Sequence, residues 1–164
     1  MFRLFIDMDG VVADLDGYLY ERYGDVIHSE EWKIEFWSKG DHIEMFYELG
    51  VTPHKNYLLD FTNYYSDRIK HVSFLTALPH THTCSRGIML SKMAWACKYF
   101  KNIPIMFGPK SQDKYLHCRG RNDILIDDNL GNIRDWEEEG GDAYWCKNVY
   151  DLRRVLDRIE EEIL

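Results

Sequence analysis

Two pairs of aspartates, each closing a short apolar run, are the residues best placed to do chemistry. The first is Asp7 and Asp9 in FIDMDGVVAD, and the second is Asp127 and Asp128 in ILIDD. In open α/β sheets, ligands bind outside the carboxyl ends of the strands, where both pairs fall if the apolar runs are strands. Neighbouring strands would then bring several carboxylates to one spot. Two carboxylates about 4 Å apart repel by roughly 4 kcal/mol at an effective dielectric of 20. Such a cluster needs a cation, and an all-oxygen ligand set favours Mg²⁺. Two plainer readings compete. An aspartate at a strand end often only caps the next helix. DMDG could also open an EF-hand loop, but Val11 stands where that loop needs Asp or Asn, and an apolar run precedes it.

Other polar residues follow in order. Thr76 lies in FLTAL, where a hydroxyl at a strand end can bond a phosphate oxygen; a threonine within a strand is otherwise ordinary. Lys110 and Lys114 occur in GPKSQDK ahead of the second aspartate pair, and no GxxxxGK[ST] loop is present. His80 and His82 in PHTHTC could clip a metal, although loop histidines without further ligands are commonly solvated. Cys84, Cys97, Cys118 and Cys146 form no CxxC pair, which points to reduced structural thiols rather than zinc or a redox couple.

The elements that must carry these residues alternate. Arg3–Asp7, Val72–Leu78 and Asp123–Asp128 are predicted strands, with Ile103–Gly108 and Ala143–Cys146 as weaker ones. They are short and apolar without a long period-2 pattern, as for strands covered on both faces. Helical patterns span Arg86–Phe100, Asn129–Glu139 and Leu152–Ile163, the last with Leu152, Val155, Leu156, Ile159 and Ile163 on one face. The alternation predicts a doubly wound parallel α/β sheet. Between the first strand and Val72 lies a long aromatic stretch with no strand pattern, divided by Gly24, Gly40, Gly50 and Pro53. It reads as helices over Leu15–Tyr23, Glu31–Ser38, Asp41–Leu49 and Lys55–Arg68. One crossover helix needs far less, so 15–69 is expected to be a helical cap inserted into a core of 1–14 and 70–164.

Composition narrows the partners. The 164 residues are 45% apolar and 29% charged, enough for a packed core of one domain with a small insert. A formal charge of −8 argues against a nucleic-acid polymer or an anionic membrane as partner. No apolar run approaches the length of about 20 residues that spans a bilayer. The N-terminal MFRLFID reaches charge too soon for a signal peptide, so the expected location is cytoplasmic.

In order, DMDGVVAD, Thr76, a lysine and ILIDD resemble the four motifs of the haloacid dehalogenase superfamily of phosphohydrolases. DMDGVVAD, the aromatic insert with FW and MFYEL, SKMAWACKYF, QDK and DILIDDN are more closely similar to the 5′(3′)-deoxyribonucleotidase family. The resemblance implies a Mg²⁺-dependent phosphatase acting on (deoxy)nucleoside monophosphates. It makes Asp7 the nucleophile that takes up the phosphoryl group and Asp9 the general acid and base. Thr76 and, less closely, Lys92 would bind phosphate, and Lys114, with Lys110 as runner-up, would steady the transferring charge. Asp7, Asp128 and the main chain of Asp9 would hold Mg²⁺, with Asp127 orienting them. Phe36, Trp37 and Phe46 would form the base pocket, unless they are simply the core of the insert.

Three positions depart from that family. Ala77 stands where a serine is common, Gln112 where an arginine is common, and Leu15 where an aromatic is expected. They leave the chemistry intact and put the substrate in question. Phosphate monoester hydrolysis is slow enough uncatalysed that enhancements approach ~10²¹, and a carboxylate nucleophile splits it into two displacements. Alternatives are a phosphatase for sugar phosphates or for polynucleotide ends, the latter disfavoured by the charge. A phospho-receiver module uses similar residues, but there a lone acceptor aspartate sits mid-chain and the lysine comes last.

Overall fold

The computed structural model describes residues 1–39, 42–78, 85–108 and 110–164. His80, His82 and Cys84 lie outside them, as does Asp41 at the expected start of the third helix of the insert.

Five parallel strands form the central sheet: β1 (Phe2–Ile6), β4 (Ile69–Ala77), β5 (Ile105–Gly108), β6 (Asp123–Asp127) and β7 (Asp142–Trp145). Their spatial order is β5-β4-β1-β6-β7. The order reverses between β1 and β6, so the crevice at their carboxyl ends is the switch point where such sheets take ligands. All five predicted strands are present, and Asp7 and Asp128 sit one residue beyond their strands.

Helices cover both faces, as the double apolar character of the strands requires. On one face Leu4, Ile6, Phe74, Ile124 and Ile126 pack under α5 (Ser85–Tyr99) and α7 (Leu152–Glu162). On the other, Phe5, Leu75 and Leu125 meet Trp136 of α6 (Leu130–Glu138). Leu152, Val155, Leu156 and Ile159 of α7 are at most 2% exposed, so the predicted stripe is the buried one. Burying one such side chain is worth about 1.5–3 kcal/mol. Arg3 at the start of β1 makes a two-pronged ion pair with the buried Asp123 of β6, and the two residues are register partners. That pairing helps align the strands whose far ends carry the aspartates.

The stretch after β1 is helical with one small exception. It holds α1 (Leu15–Tyr23), a 3-10 turn (Gly24–His28), α2 (Glu30–Ser38), α3 (Ile43–Glu48) and α4 (Lys55–Tyr64). Asp14 caps α1 by accepting from the Gly17 amide, and Ser29 caps α2 through the Trp32 amide. The exception is a two-stranded ribbon, β2 (Ala13–Asp14) antiparallel to β3 (Gly50–Val51), which the sequence reading lacked. α3 packs on α5, where the Trp95 indole donates to the Leu49 carbonyl at 2.8 Å. α4 packs on α7, with Tyr57 donating to Asp157 and Tyr65 to Glu160. Leu19, Phe46 and Leu58 therefore share one continuous apolar cluster with Leu4 and Ile6. Among the described residues Cys97, Cys118 and Cys146 are unpaired thiols.

Candidate active site

β1 delivers Asp7 into the crevice, where its amide donates to the Ile126 carbonyl of β6 at 2.8 Å. The chain then makes one tight turn, with the amides of Val12 and Ala13 both reaching the Met8 carbonyl. Gly10 closes the turn at φ 78°, a conformation that L side chains rarely adopt. A Cβ there would lie 2.4 Å from Oδ2 of Asp128, so only glycine lets the two aspartate-bearing loops come this close. The turn re-aims Asp9 away from the line of the strand, and Val11 and Val12 are buried beneath it.

The charges arrange themselves around two buried ammonium groups. Lys114, on the 3-10 turn Ser111–His117, is 1% exposed and lies 2.7 Å from both Asp7 Oδ2 and Asp127 Oδ2. Burial pulls its pKa down, but Asp7 and Asp127 outweigh burial and hold it raised. Lys110 is exposed, so Lys114 is the lysine that faces the carboxylates. Lys92 of α5, also 1% exposed, donates to Asp9, to Thr76 Oγ1 at 2.8 Å and to the Ala77 carbonyl at 3.0 Å. Asp9, Thr76 and Lys92 thus form one cluster, and Asp7, Lys114 and Asp127 another.

Asp7, Asp127 and Asp128 each bring a carboxylate oxygen within 4.8 Å of the others. With Asp9, four carboxylates face the two lysines, a formal excess of two negative charges. An all-oxygen cluster with that excess fits a hard divalent cation. Asp7 Oδ1 accepts from the Met8 amide at 2.7 Å. Asp127 is held from all sides by Lys114, the Asn129 amide and the Asn132 side chain. Asp128 is the exposed member of the three.

Crowding shows in the acidities. Burial first, then the Asp7 charge, pushes Asp127 up to about 6 against the pull of Lys114. Asp128 is also raised: the residue is open to solvent on its outer side, but its carboxyl is pressed against the Gly10 turn, and the lost hydration there comes first, then the Asp7 and Asp127 charges. Asp9 is raised chiefly by burial, against Lys92, and its Oδ1 is buried with no hydrogen-bond partner among the described residues. An orphaned buried oxygen is costly and calls for an explanation, such as a catalytic role or a bound ion or water.

The aromatic trio spreads over two environments. Phe46 is 2% exposed, and the Lys92 ammonium sits 4.6 Å from its ring centre. Trp37 lies 6.3 Å from Phe46. Phe36 stacks on Trp32 and His42, at 4.7 and 4.3 Å, and lines a cleft with Tyr23, Glu35 and Lys39. Phe46 thus touches a residue of the Asp9 cluster. Asn132 and Ser111 were not singled out in the sequence; the sole hint was a second asparagine three residues after the helix-capping Asn129.

Among solved structures, a hydrolase from Streptococcus pneumoniae TIGR4 aligns over 94% of this chain and 97% of its own, with TM-score 0.53 and 16% identity. The chain shares that hydrolase's fold. A HAD-superfamily hydrolase from Ehrlichia chaffeensis aligns over 96% and 97% at 13% identity, with TM-score 0.46. No protein-family model matches the sequence, and no curated protein does. Among the described residues no helix is long and apolar enough to cross a membrane.

Proposed function

We propose that the chain is a Mg²⁺-dependent phosphatase of the haloacid dehalogenase type, acting on small phosphate monoesters and on nucleoside monophosphates in particular. The observation that carries this reading is Asp7: a carboxylate at the switch point, braced by a buried lysine, with a raised-pKa acid two residues on. The fold shared with a hydrolase over nearly the whole chain supports it.

Asp7 attacks phosphorus as the bond to the alkoxide breaks, giving a phospho-aspartate. Asp9, whose pKa burial raises against the pull of Lys92, is the acid that hands a proton to the leaving oxygen. In the second displacement a water attacks the same phosphorus, Asp9 takes the water's proton, and the Asp7 carboxylate is released with inorganic phosphate. Lys114 compensates charge on Asp7 and the phosphoryl oxygens, while Lys92 and Thr76 present their donors to the phosphate. Asp7 and Asp128 would hold Mg²⁺, with Asp127 bracing the group; the ion supplies further charge neutralisation at the phosphoryl oxygens.

A base stacked near Phe46 would favour nucleotides, since base–aromatic stacking is worth roughly 1–3 kcal/mol. The burial of Phe46 under Lys92 favours the second reading, a small sugar phosphate that needs no stacking face. The test is phosphate release from 5′- and 3′-nucleoside monophosphates, ribose 5-phosphate, an aryl phosphate and a 3′-phosphorylated oligonucleotide, with Mg²⁺ or with EDTA. Nucleoside monophosphates should lead in kcat/KM, and only with Mg²⁺. If sugar phosphates lead, the second reading replaces the first. Turnover by a well-folded Asp7→Asn variant at near-normal rate would end both.

A further inference from the structure

We propose that Asn132 is a positioning residue that keeps Lys114 aimed at Asp7; its catalytic consequence rests on the functional reading above. Asp127 is fully enclosed, and its carboxylate is the anvil on which Lys114 rests. A buried carboxylate can rotate about its last bond unless both oxygens are fixed. Here Oδ1 accepts from the Asn129 amide at 2.9 Å and Oδ2 accepts from Lys114 at 2.7 Å. The Asn132 amide nitrogen bridges the two oxygens, at 3.0 and 3.1 Å. The reverse orientation of that amide would set its oxygen against a carboxylate, so the chemistry fixes which end faces Asp127.

The same nitrogen donates to Ser111 Oγ at 3.2 Å. Ser111 opens the 3-10 turn that carries Lys114, and Asn132 stands in the first turn of α6. One amide therefore ties together the end of β6, the start of α6 and the segment bearing the lysine. With it removed, Asp127 loses the donor shared by both oxygens and the turn loses its link to α6. Lys114 makes its ion pairs from that turn, so its ammonium shifts relative to Asp7. Misplacement by about 1 Å at a reacting centre can cost up to 10²-fold in rate.

The experiment is a double-mutant cycle with Asn132→Leu, which keeps the shape and removes the donors, and Lys114→Met. With an aryl phosphate and Mg²⁺, Asn132→Leu should lower kcat by about 10- to 100-fold and leave KM nearly unchanged. In the Lys114→Met background the same substitution should cost less than about twofold, because its effect runs through the lysine. A loss of equal size in both backgrounds, or a change confined to KM, overturns the proposal. Should Asn132→Leu fail to fold, Ser111→Ala replaces it, with a smaller loss that also vanishes without Lys114. Should the native chain cleave no phosphate monoester, the functional reading fails and the positioning claim is decided by unfolding. Asn132→Leu and Lys114→Met must then shift the urea midpoint non-additively, and additive shifts refute it.

Discussion

Gly10 and Gly24 offer a paired test of the site's closest contact. Both have positive φ, 78° and 67°, but a Cβ at Gly24 meets nothing within 4 Å whereas one at Gly10 meets Asp128 Oδ2 at 2.4 Å and its Cγ at 2.9 Å. Alanine at either position takes on positive-φ backbone strain of about 1–3 kcal/mol, Gly24 with ψ −153° lying in a region that glycine alone ordinarily adopts. For a chain of this size that corresponds to a fall in Tm of roughly 2–12 °C. Only Gly10→Ala also forces Asp128 back, by about 1 Å, to reach ordinary contact distance. A shift of that size in a group proposed to hold the metal should lower phosphatase activity by up to about 10²-fold. Gly24→Ala should lose stability and keep its activity. The assays are thermal unfolding and Mg²⁺-dependent hydrolysis of an aryl phosphate on both variants. Equal activity in the two, at equal loss of Tm, would refute the claim that the approach of Asp128 to Gly10 matters.

Three other outcomes are expected. Asp9→Asn should slow nucleoside monophosphates far more than an activated aryl phosphate, whose leaving group needs little protonation; parallel rate losses would count against Asp9 as the acid. Lys114→Ala should cost much more activity than Lys110→Ala, since the first is buried between two carboxylates and the second is exposed; kcat for each variant settles it. In EDTA, Asp127 takes up its proton with a folded-state pKa of about 6, above its unfolded value, so the folded state binds more protons between about pH 4 and pH 6. Its contribution to stability therefore falls as pH rises through that window; urea unfolding should show the slope in the native chain and a flatter one in Asp127→Asn.

The sheet was legible because each strand is a short apolar run whose end is marked by a carboxylate, a glycine or a turn. Even Ile105–Gly108 and Asp142–Trp145, the two edge strands, lie where weaker runs placed them. The helices between β1 and β4 were legible from the glycines and the proline that bound them. Lys55–Tyr64 stops four residues before the predicted Arg68 because Tyr65–Arg68 turn back toward β4, with the Ile69 amide bonded to the Tyr65 carbonyl. The ribbon of Ala13–Asp14 with Gly50–Val51 was not legible, since two residues show no period and the partners lie far apart in sequence. Asp7, Asp9, Asp127 and Asp128 were readable as a set, and the resemblance already gave Lys92 and Lys114 separate roles; which carboxylates each ammonium meets needed the fold. Asn132 stayed hidden because an asparagine at a helix start reads as a cap, a task that Asn129 performs.

That two-residue ribbon has a consequence for how the protein tolerates change. Thr52 strengthens it, its amide bonded to the Val12 carbonyl at 2.8 Å and its hydroxyl to the Val149 carbonyl at 2.6 Å. The segment from Leu15 to Leu49 thus leaves and re-enters at adjacent points, like a drawstring pulled shut at its neck. For a loop so closed, the entropy of joining its ends grows only with the logarithm of its length, about 0.6 kcal/mol per doubling. Residues can be added on its exposed far side, around α2, without disturbing the register of the sheet, whereas Leu19, Phe46 and Leu49 at its base are packed into the core and beside Lys92 and must be kept. The ribbon at its neck makes the outer part of that segment the place where the surface can vary while the aspartates keep their positions.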